Sequence, residues 1–291
     1  MFTGSITALI TPFRDGQIDE KAYQDFVNWQ IEEGSHAVVP CGTTGESPTL
    51  SHEEHKRVVE LCIEVAKDRV PVIAGSGSNS TEEAIELTNH AAQAGADAAL
   101  VVIPYYNKPT QDGLIAHFMA IADFTDIPII IYNVPPRTVV DMTVGTMAEL
   151  AKHANIIGVK DATGDLARPL STRLELGPEF CLLSGDDDTA VAYLAQGGFG
   201  CISVTANVAP RLCSELHDAW RNDQFDDVWR LRDILHPLNL ALFYEPNPAP
   251  AKFACSLLGK CQADTRLPML PLSPKSMARV EEAMLHAGLL D

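Results

Sequence analysis

Eight short runs of nearly unbroken Val, Ile, Leu and Ala recur through the first three-quarters of the chain, at residues 5–11, 36–40, 70–74, 98–103, 127–132, 156–160, 181–184 and 200–204. Most do not alternate apolar with polar, which is the pattern of strands covered on both faces. Between them lie stretches of helical periodicity such as residues 19–33, 53–67 and 82–94. Ser51 with Glu54, and Ser80 with Glu83, have the spacing of a capping box at a helix start. Gly34 and Gly95 stand where helices close on a left-handed residue. Strand and helix in regular alternation predict an α/β fold, an eight-stranded parallel β/α barrel of the TIM type. A doubly wound open sheet is the alternative, but it normally stops near about six strands. After residue 222 the β-like runs cease, and residues 225–243, 249–258 and 273–287 read as helices. The expected division is a catalytic barrel at 1–222 with a C-terminal helical extension at 223–291.

In such a barrel the chemistry gathers at the C-terminal ends of the strands. Thr11, Thr43, Thr44, Tyr106, Tyr132, Lys160, Gly185 and Ile202 are then expected to face one mouth. Lys160 ends the apolar run Ile156-Ile157-Gly158-Val159. Desolvation disfavours an ammonium, and a neutral amine is a nucleophile able to form a Schiff base with a carbonyl substrate. A lysine snorkelling at a strand end is the plainer alternative. Two further strand ends argue against it. Ile129-Ile130-Ile131-Tyr132 closes on a phenol able to serve as acid and base, with Arg137 just beyond as a planar fork for a carboxylate. Val38-Val39-Pro40 leads into Gly42-Thr43-Thr44-Gly45, whose amides and hydroxyls ahead of a helix suit a carboxylate nest.

The formal net charge of −18, from 39 acidic and 21 basic residues, argues against nucleic-acid binding, which needs a basic face. An anionic substrate must therefore be caught by local groups such as Arg137 and Lys160. Seven cysteines without a C-x-x-C pair read as free thiols in a reducing compartment. With no membrane-length apolar run and no signal-peptide pattern, a cytoplasmic protein is expected. His52-Glu53-Glu54-His55 has its histidines three apart rather than four, and lacks a third ligand, so no metal site is expected. Gly75-Ser76-Gly77-Ser78-Asn79-Ser80 resembles a dinucleotide fingerprint but has serine at the third glycine. An NAD-dependent oxidoreductase is accordingly a remote alternative. A catalytically dead scaffold barrel would be expected to lack the lysine or the tyrosine, and both are present.

Gly42-Thr43-Thr44-Gly45-Glu46, Tyr132-Asn133-Val134-Pro135-Pro136-Arg137-Thr138 and Gly158-Val159-Lys160-Asp161-Ala162-Thr163-Gly164 resemble the signatures of the dihydrodipicolinate synthase family. These enzymes are pyruvate-dependent class I aldolases. The likeness continues through Pro104-Tyr105-Tyr106-Asn107, Leu183-Ser184-Gly185-Asp186-Asp187, Ile202-Ser203-Val204-Thr205-Ala206-Asn207 and Glu245-Pro246-Asn247-Pro248, and so spans the chain. It implies condensation of pyruvate with L-aspartate 4-semialdehyde on the route to diaminopimelate and lysine, without metal or organic cofactor. It implies Lys160 as the Schiff-base lysine, with Tyr132 as proton donor and acceptor linked through Thr44 to Tyr106 of a neighbouring subunit. By the same resemblance, Thr43 and Thr44 hold the pyruvate carboxylate and Arg137 that of the semialdehyde. Main-chain groups of Gly185 and Ile202 orient lysine and substrate, in a homo-oligomer that is a dimer or a tetramer built as a dimer of dimers. Feedback by L-lysine is implied at Ser47, His52, His55, Asn79, Glu83 and Tyr105, with Pro48 where alanine is usual. Within the same superfamily, another pyruvate-dependent 2-keto-acid aldolase is the alternative, the nearest being N-acetylneuraminate lyase. It typically has Gly-Ser-Thr-Gly-Glu in the first motif and no arginine like Arg137.

Overall fold

The eight apolar runs are strands, with boundaries shifted by a few residues from those the sequence predicts. The computed structural model describes residues 1–291. Its strands are β1 (Gly4–Ala8), β2 (Phe13–Arg14), β3 (Gln17–Ile18), β4 (Ala37–Val39), β5 (Ile73–Gly75), β6 (Ala98–Val102), β7 (Ile129–Asn133), β8 (Ile156–Asp161), β9 (Cys181–Ser184) and β10 (Gly200–Ser203). Eight of them form one sheet in the order β4-β1-β10-β9-β8-β7-β6-β5. Neighbours in that order follow one another along the chain, which is the strand order of a β/α barrel. The ladders within each unit run parallel. Within the second unit the amide of Val38, in β4, donates to the Pro71 carbonyl at 3.0 Å. The chain forms two compact units, Met1–Thr3 with Val72–Ile202, and Gly4–Pro71 with Ser203–Asp291.

In the first unit the apolar layer lies between strands and helices. Val101, Ile129, Ile131, Val159 and Leu182 pack with Leu114, Phe118, Ile121, Met147 and Leu150. Ile130, on the opposite strand face, is equally buried, which is why these runs show no alternation. At the start of the β7–β8 ladder the register shifts, so that Ile129 pairs with Ile156 but Ile130 with Gly158. Tyr132 is thereby brought opposite Lys160. Gly158 permits the close approach to β9, since a Cβ there would lie 2.4 Å from the Cys181 carbonyl oxygen.

In the second unit β1 stops three residues before the predicted end at residue 11. The Ile10 amide turns instead to Asn207 Oδ1 at 3.0 Å, and Asn207 Nδ2 donates to the Ala8 carbonyl at 2.7 Å. Beyond it β2 and β3 form an antiparallel hairpin that the periodicity did not reveal. Asp15 and Gly16 both have positive φ, of 52° and 79°, as a two-residue hairpin turn requires.

The predicted helices form at Glu20–Glu32, His52–Ala66 and Thr81–Ala94, and those after residue 222 at Phe225–Leu242, Ala249–Leu257 and Pro274–His286. At Ser51 both capping-box bonds are made, at 3.2 and 2.9 Å. At Ser80 only one is. Its hydroxyl accepts from the Glu83 amide at 3.4 Å, whereas its own amide donates to Ser78 Oγ at 3.0 Å and Ser78 donates to the Glu83 carboxylate. The intervening serine has taken the carboxylate that a capping box would return to Ser80. Six of the seven cysteines are buried, and all seven are free thiols.

Candidate active site

In the first unit Lys160 and Tyr132 occupy paired positions on adjacent strands near their C-terminal ends. The two side chains are almost fully enclosed, at 6% and 7% exposure, and Lys160 Nζ lies 4.3 Å from the centre of the Tyr132 ring. The amine thus sits over the face of the ring whose hydroxyl is the nearest candidate for proton transfer. Gly185 leaves room for the lysine stem, because a Cβ there would stand 3.1 Å from Lys160 Cε and 2.8 Å from Ala162 Cβ. Its amide donates to the Asp161 carbonyl at 2.7 Å, which holds the start of the β9 loop against the end of β8. Ile202 is buried near the end of β10. Arg137 is exposed on the short helix Pro135–Thr138 that follows β7.

Tyr106 behaves differently. It is 91% exposed and has a left-handed φ of 67°, a conformation disfavoured for a bulky residue. Its neighbours are well tied: Asn79 Nδ2 donates to the Tyr105 carbonyl at 3.2 Å, and Asn107 Nδ2 to the Asn79 carbonyl at 2.9 Å. Burial, and after it the Glu83 carboxylate, pushes the Tyr105 phenol up from its ordinary range. Asn79, Glu83 and Tyr105 are therefore one cluster beside Tyr106.

In the second unit β4 runs into a tight loop, with left-handed φ at Cys41 (54°) and Glu46 (55°). The amides of Gly45 and Ser47 donate to the Gly42 carbonyl at 3.1 and 3.4 Å, and that of Glu46 to Thr43 at 3.2 Å. Those three amides are spent inside the loop, so the anion nest narrows to the Thr43 and Thr44 groups. The helix ahead of which the nest stands begins at His52, as the capping box at Ser51 predicts, and a 3₁₀ turn over Ser47–Thr49 that contains Pro48 separates it from the loop. Its N-terminus is thus displaced from the loop, and the nest does not depend on a helix dipole. Ser47 belongs to that turn, His52 is exposed at the helix start, and His55 is buried one turn further, its carbonyl accepting from Cys41 Sγ at 3.5 Å.

Three residues without an assigned role in the sequence reading hold this loop from the C-terminal part of the chain. Asn247 Nδ2 donates to Thr44 Oγ1 at 3.0 Å, both side chains being buried. Since Thr44 accepts there, its own proton is directed elsewhere. Lys252 is fully buried, with Nζ 2.6 Å from Glu46 Oε1 and 4.0 Å from the centre of the Phe13 ring. Glu46 Oε2 also accepts from the Arg266 amide at 2.9 Å. The Arg266 guanidinium grips Glu54 at 2.5 and 2.6 Å and the Thr49 carbonyl at 2.8 Å. The sequence signal was a lysine inside the apolar helix Ala249–Leu257.

The dihydrodipicolinate synthetase family matches residues 1–287. The 4-hydroxy-tetrahydrodipicolinate synthase of Rhodospirillum centenum is 65% identical over 290 residues, covering 100% of both chains. A solved structure of the chloride-inhibited dihydrodipicolinate synthase from Acinetobacter baumannii, complexed with pyruvate, has a TM-score of 0.97 at 44% identity over 100% of both chains. That of the enzyme from Cyanidioschyzon merolae with lysine bound has a TM-score of 0.96 at 38% identity over 99% of each.

Proposed function

The chain belongs to the dihydrodipicolinate synthetase family of pyruvate-dependent lyases, and on that premise we propose that it is a 4-hydroxy-tetrahydrodipicolinate synthase. Pyruvate and L-aspartate 4-semialdehyde are its substrates. The observation that carries the reading is the enclosed Lys160 amine over the Tyr132 ring. The amine adds to the pyruvate ketone, and loss of water from the carbinolamine gives an iminium. Loss of a methyl proton then gives the enamine that attacks the aldehyde. Tyr132 supplies and removes protons at these steps, with Thr44 and Tyr106 completing the relay. Thr43 and Thr44 hold the pyruvate carboxylate, and the main chain at Gly185 and Ile202 orients lysine and substrate. No metal or organic cofactor takes part in this scheme.

Arg137 captures the semialdehyde carboxylate. In support, its guanidinium is exposed on the segment that follows Tyr132. A charged hydrogen bond of this kind contributes roughly 1.5–3 kcal/mol, so Arg137→Ala should lose about ten- to a hundredfold in the use of semialdehyde. Formation of the pyruvate adduct should stay near the wild-type rate. Equal damage to both steps would show that Arg137 is structural.

Tyr106 serves a neighbouring subunit in a homo-oligomer, a tetramer built as a dimer of dimers. Its exposure and strained φ support this, since neither benefits an isolated chain. Full activity in a form shown by sedimentation to be monomeric would contradict it. The protein works in the cytoplasm. Its free thiols suit a reducing compartment, and no helix is long and apolar enough to cross a membrane.

L-Lysine is the effector of the residues Ser47, His52, His55, Asn79, Glu83 and Tyr105. The cluster of Asn79, Glu83 and Tyr105 supports this because it offers a carboxylate for an amino group and adjoins the relay residue Tyr106. Coupling of about 1–3 kcal/mol is ordinary for such an arrangement. Initial rates should fall with added L-lysine in the wild type. They should be far less sensitive in Glu83→Gln, which keeps an acceptor for Ser78 and loses the charge. Unchanged inhibition in that variant would reject the site.

A further inference from the structure

Arg168 opens the helix Arg168–Leu176 behind β8, and the proposed chemistry gives it no task. Its side chain is nonetheless only 10% exposed. Nη1 donates to Asp141 Oδ2 at 3.0 Å, and Nη2 donates to the Met142 carbonyl. Nε stands 3.7 Å from Asp161 Oδ2, the residue after Lys160. Asp141 Oδ1 accepts in turn from Asn133 Nδ2 at 2.8 Å, and Asn133 Oδ1 accepts from the Met142 amide at 3.2 Å. Asn133 is fully buried and pairs with Asp161, directly beyond the Tyr132 and Lys160 pair.

These bonds pin the two ends of the segment 133–142 together. Thr138 Oγ1 braces its middle between the carbonyls of Val134 at 3.1 Å and Val140 at 2.9 Å. Arg137 is exposed on that closed loop. The Arg168 fork reaches it from the next β/α unit, while the Arg168 Nε makes a longer ion pair, without a hydrogen bond, to Asp161 at the end of the strand that carries Lys160. A lysine at this position is a point charge and cannot span both acceptors with fixed geometry.

We propose that Arg168 is a positioning residue for the aldehyde substrate, acting through Asp141 and Met142 to set the distance between the Arg137 loop and Lys160. This rests on the reading of Arg137 as the carboxylate clamp. A small misplacement of a binding group remote from the reacting bond is enough to cost a large factor in rate.

The test is steady-state kinetics in both substrates, with pyruvate-adduct trapping, for Arg168→Met, Arg168→Lys and Asp141→Ala. Each is made alone and in the Arg137→Ala background. Asp141 is half exposed, so its variant folds where removal of the buried guanidinium interferes. KM for the semialdehyde should rise about tenfold in Arg168→Met and Asp141→Ala, with an intermediate rise in Arg168→Lys. Adduct formation should stay within about twofold, and the extra loss should vanish once Arg137 is absent, because the two residues act as one unit. Losses that persist in the Arg137→Ala background, or that fall equally on both substrates, would overturn the proposal. If Arg137→Ala alone leaves semialdehyde use intact, the clamp reading fails first and takes this inference with it.

Discussion

Tyr132→Phe should lower turnover by about 10²- to 10⁴-fold while leaving the protein folded. The substitution isolates the hydroxyl. Phenylalanine keeps the ring over which Lys160 Nζ sits at 4.3 Å, and it keeps the pairing of residue 132 with Lys160 on the two strands. The amine therefore stays where it is, and what disappears is the group that moves protons at the carbinolamine and enamine steps. Adduct with pyruvate should still form, slowly, because a neutral amine can add to a ketone with water as the proton carrier. The measurement is kcat together with the thermal midpoint. Turnover within a few fold of wild type would remove Tyr132 from the mechanism.

Lys252→Met should cost about 3–5 kcal/mol of stability. It leaves the Glu46 carboxylate, 3% exposed, without its ammonium partner, while the Arg266 amide still donates to Oε2. In the folded protein burial pulls the Lys252 ammonium below its ordinary value, and the Glu46 carboxylate pulls it back up. The pair is thus held by mutual compensation, and loss of either partner strands a charge. For a chain of this size the loss corresponds to a midpoint lower by roughly 10 °C. The double variant Glu46→Gln with Lys252→Met should recover most of it, since no buried charge remains. Thermal and urea unfolding of the two single variants and the double one measure this. A single-variant loss below about 1 kcal/mol, or no recovery in the double, would contradict the account. Because Glu46 follows Thr43 and Thr44 in the same tight loop, the single variants should also weaken pyruvate binding.

Much of the fold was legible because its strands are enclosed on both faces, which leaves continuous apolar runs that no surface element imitates. Their ends were less so. β1 ends at Ala8 because Asn207, far along the chain, captures the Ile10 amide, and no local pattern carries that information. The hairpin at residues 13–18 leaves a turn signal in Asp15-Gly16, but strands of two residues are too short to show a periodicity. At the site, Lys160 and Tyr132 were legible as polar endings of apolar strands. Lys252 carries the same signal and has a different role. A lysine within an apolar run marks a buried amine, and the partner decides its chemistry: an aromatic ring for Lys160, a carboxylate for Lys252. Asn247, Lys252 and Arg266 contact a loop some two hundred residues earlier in the chain, so their part in holding Thr44 and Glu46 emerges only in three dimensions.

Borohydride reduction of the protein in the presence of pyruvate, followed by peptide mass mapping, tests most directly whether Lys160 forms the Schiff base. One reduced pyruvate adduct per chain is expected, on Lys160, and none in Lys160→Ala. An adduct on Lys252 or any other lysine, or no adduct at all, would contradict that role.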